Sequence, residues 1–420
     1  MLIVMVALVL AAAMCFFAGR MAWAQIRGDG EKGVELKAAT RLEPRNSEYL
    51  YRLGHFQQFN LEDPDPVAAK ESLKKAVALN PLFTDAWLDL GTTYELEGDT
   101  ANAKEAYQQA VKSYPGSAEV AWRYGNFLLR NGDLPGSFEQ LHHAIEIDPT
   151  RAAAAFSRVY RADPNMDEIL GQLLPAQPNV YGDVIAEATA ARQLGLAQLV
   201  WTRLLALDPR LEIRDFDPLV RALADNKEYA AARRVWEQGT ERANLPPMFR
   251  PQGSAVWDPS FESGINGYSN SWRYNPIEQG IQATLDPNEK LSGTQSLRIS
   301  FDGKQNPNKD IACTGVFVNP GTQYLFSAWI KTRDLTTEQG VRFRLMGYGD
   351  QGVTVVNTEE FHGTMPWTAV NTTWTPGKDV RTAQICISRD ANDNPNVRIS
   401  GTAWIDDVNL IPVVAERQKP

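Results

Sequence analysis

The chain has 420 residues, of which 43% are hydrophobic and 22% charged, a balance that suits two or three folded cores and excludes a mostly disordered chain. A formal charge of −9, with no dense Lys/Arg run, excludes a broad nucleic-acid surface, because binding a phosphate backbone takes a clustered basic patch.

From Leu2 to Gly19 there is neither a charge nor a proline, which predicts a helix able to satisfy its own backbone in lipid. Three readings are open: a single membrane anchor over residues 1–24, a secretory signal ending in the A-x-A-like Ala22-Trp23-Ala24, or a buried core helix. Met14 before Cys15 argues against lipid attachment there, since a small residue normally precedes a lipidated cysteine. Arg20, Arg27 and Lys32 all follow the apolar run, and the positive-inside rule alone would keep that side cytoplasmic. The carboxyl-terminal half argues for the opposite side.

Residues 33–244 carry helical patterning. Pro81, Pro115 and Pro149 recur at a spacing of 34, each closing a similar phrase: Ala76 to Pro81, Ala110 to Pro115, Ala144 to Pro149. Counting back from each proline, the same places hold Ala69, Leu73 and Ala76; Ala103, Tyr107 and Ala110; Ser137, Leu141 and Ala144. Small residues let two helices approach, and larger ones fill the layer between them. Trp87, Leu90, Gly91 and Tyr94 form a W-x-x-L-G-x-x-Y phrase, echoed by Leu53-Gly54 before it and Tyr124-Gly125 after it. This pattern resembles the tetratricopeptide repeat, a helical hairpin. The match is best over 47–149, with an insertion at Leu61 to Pro66 that lengthens the first inter-helix turn. Over 151–244 the register degrades; Ala197, Trp201, Leu204 and Pro209, then Tyr229 to Arg242, read as divergent hairpins or a capping segment.

The resemblance implies a groove lined by the first helix of each hairpin, where a protein or peptide binds. Its residues would be Tyr51, His55, Leu88, Thr92, Glu95, Trp122, Asn126 and Leu129, with Leu88 and Trp122 equally able to pack between hairpins. The basic residues with which some family members clamp a peptide carboxylate are missing from these places; Asn126 alone agrees.

Leu245 to Gly253 reads as a linker, where two successive prolines stop any helix. Beyond it, over 254–413, short alternating segments lie between turn residues: 296–301, 314–318, 324–332, 341–348, 382–388 and 402–410. These predict a β-sandwich or jelly roll, followed by a tail at 414–420. The fold class is therefore an apolar N-terminal helix, a tetratricopeptide-like α-solenoid and a β-sandwich.

Within this part, Trp257 to Gly264, Ser292 to Leu297, Asn319 to Tyr324, the Trp329 strand and Ala403 to Leu410 follow an order that resembles jelly-roll carbohydrate-binding modules. That resemblance implies polysaccharide as a ligand. Trp272 and Tyr274, in a polar loop, are the expected exposed aromatics, and Arg342, Arg344 and Tyr348 share one strand face by alternation. Trp329, Trp367 and Trp404 are expected in the core. The resemblance also implies a structural calcium held by Glu262 with Asp406 or Asp407; the alternative is that these acids cap strand ends. Cys313 and Cys386 either pair, which export would permit, or stay as buried thiols.

Catalytic patterns are missing: His142-His143 cannot form an i, i+4 metal pair, and there is no G-x-S-x-G elbow, phosphate-cradling loop or Cys-x-x-Cys site. The expectation is a non-catalytic, membrane-tethered extracytoplasmic adaptor with no cofactor beyond the calcium. It would bind a protein through its repeats and a glycan through its sandwich, in cell-envelope or exopolysaccharide assembly. The alternatives are a secreted form, a structural assembly protein without sugar binding, a wholly cytoplasmic protein, or a polysaccharide-acting enzyme of unrecognised type.

Overall fold

The computed structural model describes residues 2–30, 32–243, 253–275, 280–394 and 397–413. The expected tail at 414–420 and all but Gly253 of the expected linker lie outside the described residues. The chain divides into two compact units, Met1–Glu187 and Ala188–Pro420.

The first unit is helical. Helix α1 (Leu2–Gly28) is long and apolar enough to cross a membrane. Helix α2 (Gly33–Leu42) packs on its C-terminal end, where Ala24, Ala39 and Tyr49 form a small buried cluster. Gly28 belongs to this contact, since a Cβ there would fall 2.3 Å from the Tyr49 ring. Three hairpins follow: α3 (Ser47–Phe59) with α4 (Pro66–Leu79), α5 (Thr84–Leu96) with α6 (Thr100–Ser113), and α7 (Ala118–Arg130) with α8 (Leu134–Ile147). The link at 60–65 is twice as long as those at 97–99 and 131–133, as the insertion predicted.

Each second helix starts on an aspartate. Asp65, Asp99 and Asp133 accept hydrogen bonds from Ala68 N, Asn102 N and Gly136 N at 3.0, 3.2 and 3.1 Å, satisfying an amide that the helix itself leaves open. The hairpins close because their first helices carry glycine at the crossing: a Cβ on Gly125 would lie 2.8 Å from Leu141. Leu73, Tyr107 and Leu141, from the repeated second-helix position, are fully buried. Beyond them α9 (Ala152–Ala162) and the short α10 (Met166–Glu168) lead into a π-helical turn at Ile169–Leu173, then α11 (Pro178–Ala190).

Among the described residues, the second unit contains α12 (Leu194–Ala206), α13 (Ile213–Asp225) and α14 (Tyr229–Arg242) together with ten strands. These are β1 (Arg273–Tyr274), β2 (Ile281–Asp286), β3 (Ser296–Asp302), β4 (Lys309–Phe317), β5 (Tyr324–Leu335), β6 (Arg342–Gly349), β7 (Gly352–Asn357), β8 (Gly363–Trp374), β9 (Thr382–Arg389) and β10 (Ser400–Pro412). They form two antiparallel sheets, ordered β1-β4-β9-β6-β7 (sheet A) and β2-β3-β10-β5-β8 (sheet B). One apolar core lies between them, including Leu297, Ile299, Phe326, Phe343, Leu345, Ile385 and Ile405. Neighbouring strands are often far apart in sequence: β4 pairs with β9, and β10 with β3.

Candidate functional sites

In the repeat array, α3, α5, α7 and α9 stand side by side, and a ladder of polar contacts joins them. Its centre is Asp89, only 3% exposed. His55 Nδ1 lies 2.7 Å from Asp89 Oδ2, and both terminal nitrogens of Arg123 reach Asp89 Oδ1 at 3.2 Å. His55, Asp89 and Arg123 hold equivalent places, 34 residues apart. A buried carboxylate is costly unless paired, and here it takes partners from the repeats on both sides. Arg123 also donates to Thr92 Oγ1 at 2.6 Å.

One repeat further, Arg158 Nη1 donates to Asn126 Oδ1 at 2.6 Å. Its guanidinium lies 4.8 Å from the Trp122 ring centre, while Arg151 lies 5.4 Å from the same ring. Arg151 pairs with Glu119 and Asp148, whereas among the described residues Arg158 has no carboxylate within ion-pair distance. Glu95 is paired with Arg130 at 2.7 Å. Tyr51 packs on Phe83, and burial together with Asp89 and Asp85 keeps its phenol protonated well beyond the usual range.

Of the eight expected groove residues, Leu88 is corrected: at 2% exposure it packs with Ala103, Tyr107 and Tyr124 between hairpins. Asn126 is also buried, reached through Arg158. Tyr51, His55, Thr92, Glu95, Trp122 and Leu129 keep part of their surface in solvent. The cations Arg123 and Arg158 were missed, although His55, Asp89 and Arg123 fall on the 34-residue register already read from the prolines.

In the second unit the expected sugar residues separate. Trp272 is corrected: it is fully buried, its ring 4.6 Å from that of Phe261, and its Nε1 donates to Asp258 O at 2.9 Å. Arg342 and Arg344 do share the outer face of sheet A, but they are spent on carboxylates. Arg344 pairs with Asp310 at 2.7 Å and with Asp390, and Arg342 pairs with Glu360 at 3.1 Å and with Asp390. Tyr274 is half-buried, and burial raises its phenol pKa. Tyr348 remains exposed at 38%, with its hydroxyl donating to Gln384 Oε1 at 2.9 Å.

Tyr348 and Gln384 line a pocket of about 410 Å³ between the outer face of sheet A and the α13–α14 hairpin. Arg273, Tyr268, Arg221 and Tyr229 also line it, as do Asp225 and Phe317. No local pattern could have grouped these residues, because they come from two helices, a loop and three strands.

The tryptophans expected in the core differ as well. Trp404 is buried, but by alternation with Ala403 and Ile405 it lies on the outer face of sheet B, beneath Arg298, Lys331 and Arg333. Trp329 shares that face, and both Trp329 and Trp367 are only half-buried. Cys313 and Cys386 are directly paired across β4 and β9 and joined in a disulfide.

Glu262, Asp406 and Asp407 all hold the 291–295 loop. Glu262 accepts from Thr294 N, Thr294 Oγ1 and Gln295 N; Asp406 Oδ2 accepts from Leu291 N and Ser292 N; Asp407 Oδ1 accepts from the hydroxyls of Ser260 and Ser292. Burial pushes the Asp406 carboxyl up to about 6. Calcium needs several oxygens turned towards one point. These carboxylates are turned towards N–H and O–H donors, and among the described residues no three metal-ligating side chains converge.

Residues 85–117 match the tetratricopeptide repeat family. The type IV pilus assembly protein PilF of Pseudomonas aeruginosa is 29% identical over 106 residues, 25% of this chain and 40% of PilF; the chain thus spans less than half of that relative. Among solved structures, MamA aligns over 42% of this chain and 86% of its own, at 19% identity and a TM-score of 0.27. A xylan-binding domain of carbohydrate-binding module family 22 aligns over 39% of this chain and all of its own, at 13% identity and a TM-score of 0.29. The family match falls on the α5–α6 hairpin, and the carboxyl-terminal unit is an antiparallel two-sheet sandwich.

Proposed function

We propose that the chain is a non-catalytic adaptor, tethered by α1 with its bulk outside the cytoplasm, that holds an extended protein segment along its repeats and a glycan on its sandwich unit. The observation that carries the protein-binding half is Arg158. It is a cation beside a half-exposed tryptophan on the ladder side of the array, with no carboxylate of its own, and so suits an acidic side chain of a bound segment. A photo-cross-linker at Leu129, on the helix that carries Trp122, should capture a protein in cells, and Arg158→Ala should abolish capture. Capture that persists undiminished in Arg158→Ala would remove this assignment.

Retention of α1 is supported by Ala24, the last residue of the cleavage-like phrase, which is fully buried against the α2 cluster inside a helix that continues to Gly28. Signal cleavage would cut through that packed segment. The disulfide supports the extracytoplasmic side, since such bonds persist in oxidising compartments. The likeness of part of the chain to PilF, a type IV pilus assembly protein, supports a part in cell-envelope assembly. A reporter active only outside the cytoplasm, fused after Pro420, should be active; an expressed but inactive fusion would overturn this topology. The burial of Trp272 favours a second reading, an assembly protein whose sandwich binds no sugar, and a glycan panel decides between the two.

A further inference from the structure

The outer face of sheet A is not an open platform. At the end of the face that carries Phe317, Tyr348, Thr382 and Gln384, the α13–α14 hairpin stands over the strands and forms one wall of the 410 Å³ pocket. The hairpin is bound there by specific contacts. Asp217, 4% exposed, accepts from Ser269 N at 2.7 Å and from Arg221 Nε at 2.6 Å, and Arg221 Nη2 donates to Gly267 O at 2.9 Å. Lys227 bridges to Asp350 in the β6–β7 turn at 2.9 Å, Arg233 donates to Asn319 at 2.9 Å, and Trp236 meets Trp257 edge-on at 5.8 Å. These contacts come from successive turns of two helices, which is far more than a chance touch needs.

The hairpin adds a further aromatic ring to the pocket. Tyr229, at the first turn of α14, faces a lining that also contains Tyr268 and Tyr348. Among the described residues none of these three rings stacks on another aromatic, and the hydroxyls of Tyr229 and Tyr268 have no protein partner. Among the described residues the Arg273 guanidinium likewise has no hydrogen-bond or ion-pair partner, although its charge acts on Tyr348. Free aromatic faces beside planar polar groups, in a cavity of this size, suit a pyranose ring. The ring lays its C–H face on the aromatic and offers adjacent hydroxyls to a guanidinium or amide.

We propose that the glycan site of this protein is shared between sandwich and helices. Tyr229 of α14 contacts the sugar opposite Tyr348, and Asp217 positions the hairpin without touching it. The binding unit therefore includes the α13–α14 hairpin as well as sheet A. This inference rests on the glycan-binding reading above and goes beyond it by making a helical residue part of the sugar contact.

The test uses the full chain in detergent, run through native gels containing xylan, mixed-linkage β-glucan, dextran or alginate. Wild-type protein should be retarded by one of them. Tyr348→Ala and Tyr229→Ala should each weaken retardation at least tenfold, Tyr229→Phe should preserve it, and Asp217→Asn should weaken it with no change in which glycan is preferred. Near-ultraviolet circular dichroism identical to wild type would show that Tyr229→Ala is folded, and the Tyr229→Phe variant separates loss of the ring from loss of the fold. Retardation lost in Tyr348→Ala yet intact in Tyr229→Ala would overturn the shared site and leave the glycan reading standing. No retardation of wild type by any of the four polymers would overturn both.

Discussion

The repeat array and the sandwich unit solve the problem of positioning a site in opposite ways. In the array, every polar contact of the ladder joins places about one repeat apart, as Asp89 does with His55 and Arg123. The site is a by-product of stacking: once the hairpins are in register, equivalent residues must meet. In the sandwich unit, the pocket joins Arg221 to Gln384, and nothing local brings them together. They meet only after two sheets have closed and a helical hairpin has docked. A repeat array should therefore tolerate local damage in a graded way, whereas the sandwich should fail as a unit.

The widest separation between the two should come from core truncation. Phe343→Ala, in the fully buried layer between the sheets, should cost about 3–5 kcal/mol and abolish the cooperative transition of the sandwich at 37 °C. Leu141→Ala in the array should cost about 2–5 kcal/mol, yet leave that transition in place. Urea unfolding followed by tryptophan fluorescence and by far-ultraviolet circular dichroism checks this, and a joint collapse in both variants would break the comparison.

Next in size is the covalent link. Reduction of Cys313–Cys386, whose partners are 73 residues apart in sequence, should destabilise the sandwich by about 2–4 kcal/mol. The array should be unmoved, as differential scanning calorimetry with and without reductant would show.

A smaller effect, of about 1–3 kcal/mol, is expected for Asp89→Ala, which strips His55 and Arg123 of their shared carboxylate. The partners are partly solvated, which limits the loss. Chemical denaturation of the array, with the double variant Asp89→Ala/Arg123→Ala recovering part of the stability, would confirm the pairing.

The smallest signal should come from pH. Because the Asp406 carboxyl is raised to about 6, the folded state holds a proton that the unfolded state has already released between about pH 4 and 6. This group therefore favours folding most at the acid end of that window, and its contribution falls as pH rises through 6. Asp406→Asn should flatten this part of the pH–melting curve of the sandwich. A calcium chelator should leave the wild-type curve where it was, and a marked shift would show that the 291–295 loop does hold an ion.

Much of the fold was legible in the sequence. The 34-residue proline spacing and the Leu-Gly phrases located three hairpins, and alternation located six of the ten strands. Of those missed, β1 is only two residues long and β7 keeps almost every residue in solvent, so that no apolar alternation marks them, whereas β2 does alternate, with Ile281 and Ala283 buried and Gln282 and Thr284 exposed. The candidate sites were read less well. Trp272 looked exposed because its neighbours are polar, yet Asn270 and Ser271 are buried with it. Arg342 and Arg344 were rightly placed on one face, but their carboxylate partners come from β4 and the segments at 360 and 390.

By itself, then, the sequence determined what depends on near neighbours: an apolar helix, hairpins repeating at a constant interval, and strands whose alternation chooses an inner face. Periodicity carries that information because the physical contacts behind it recur at short, constant separations. Only the tertiary structure decided which exposed-looking groups are spent and which are free. It buried Trp272, locked Arg342 and Arg344, and drew Tyr229 from a helix to the face of a sheet. Arg342 and Arg344 find carboxylates 18, 34 and 46 positions away, and Tyr229 meets a strand more distant still; no regular pattern along the chain encodes such irregular separations.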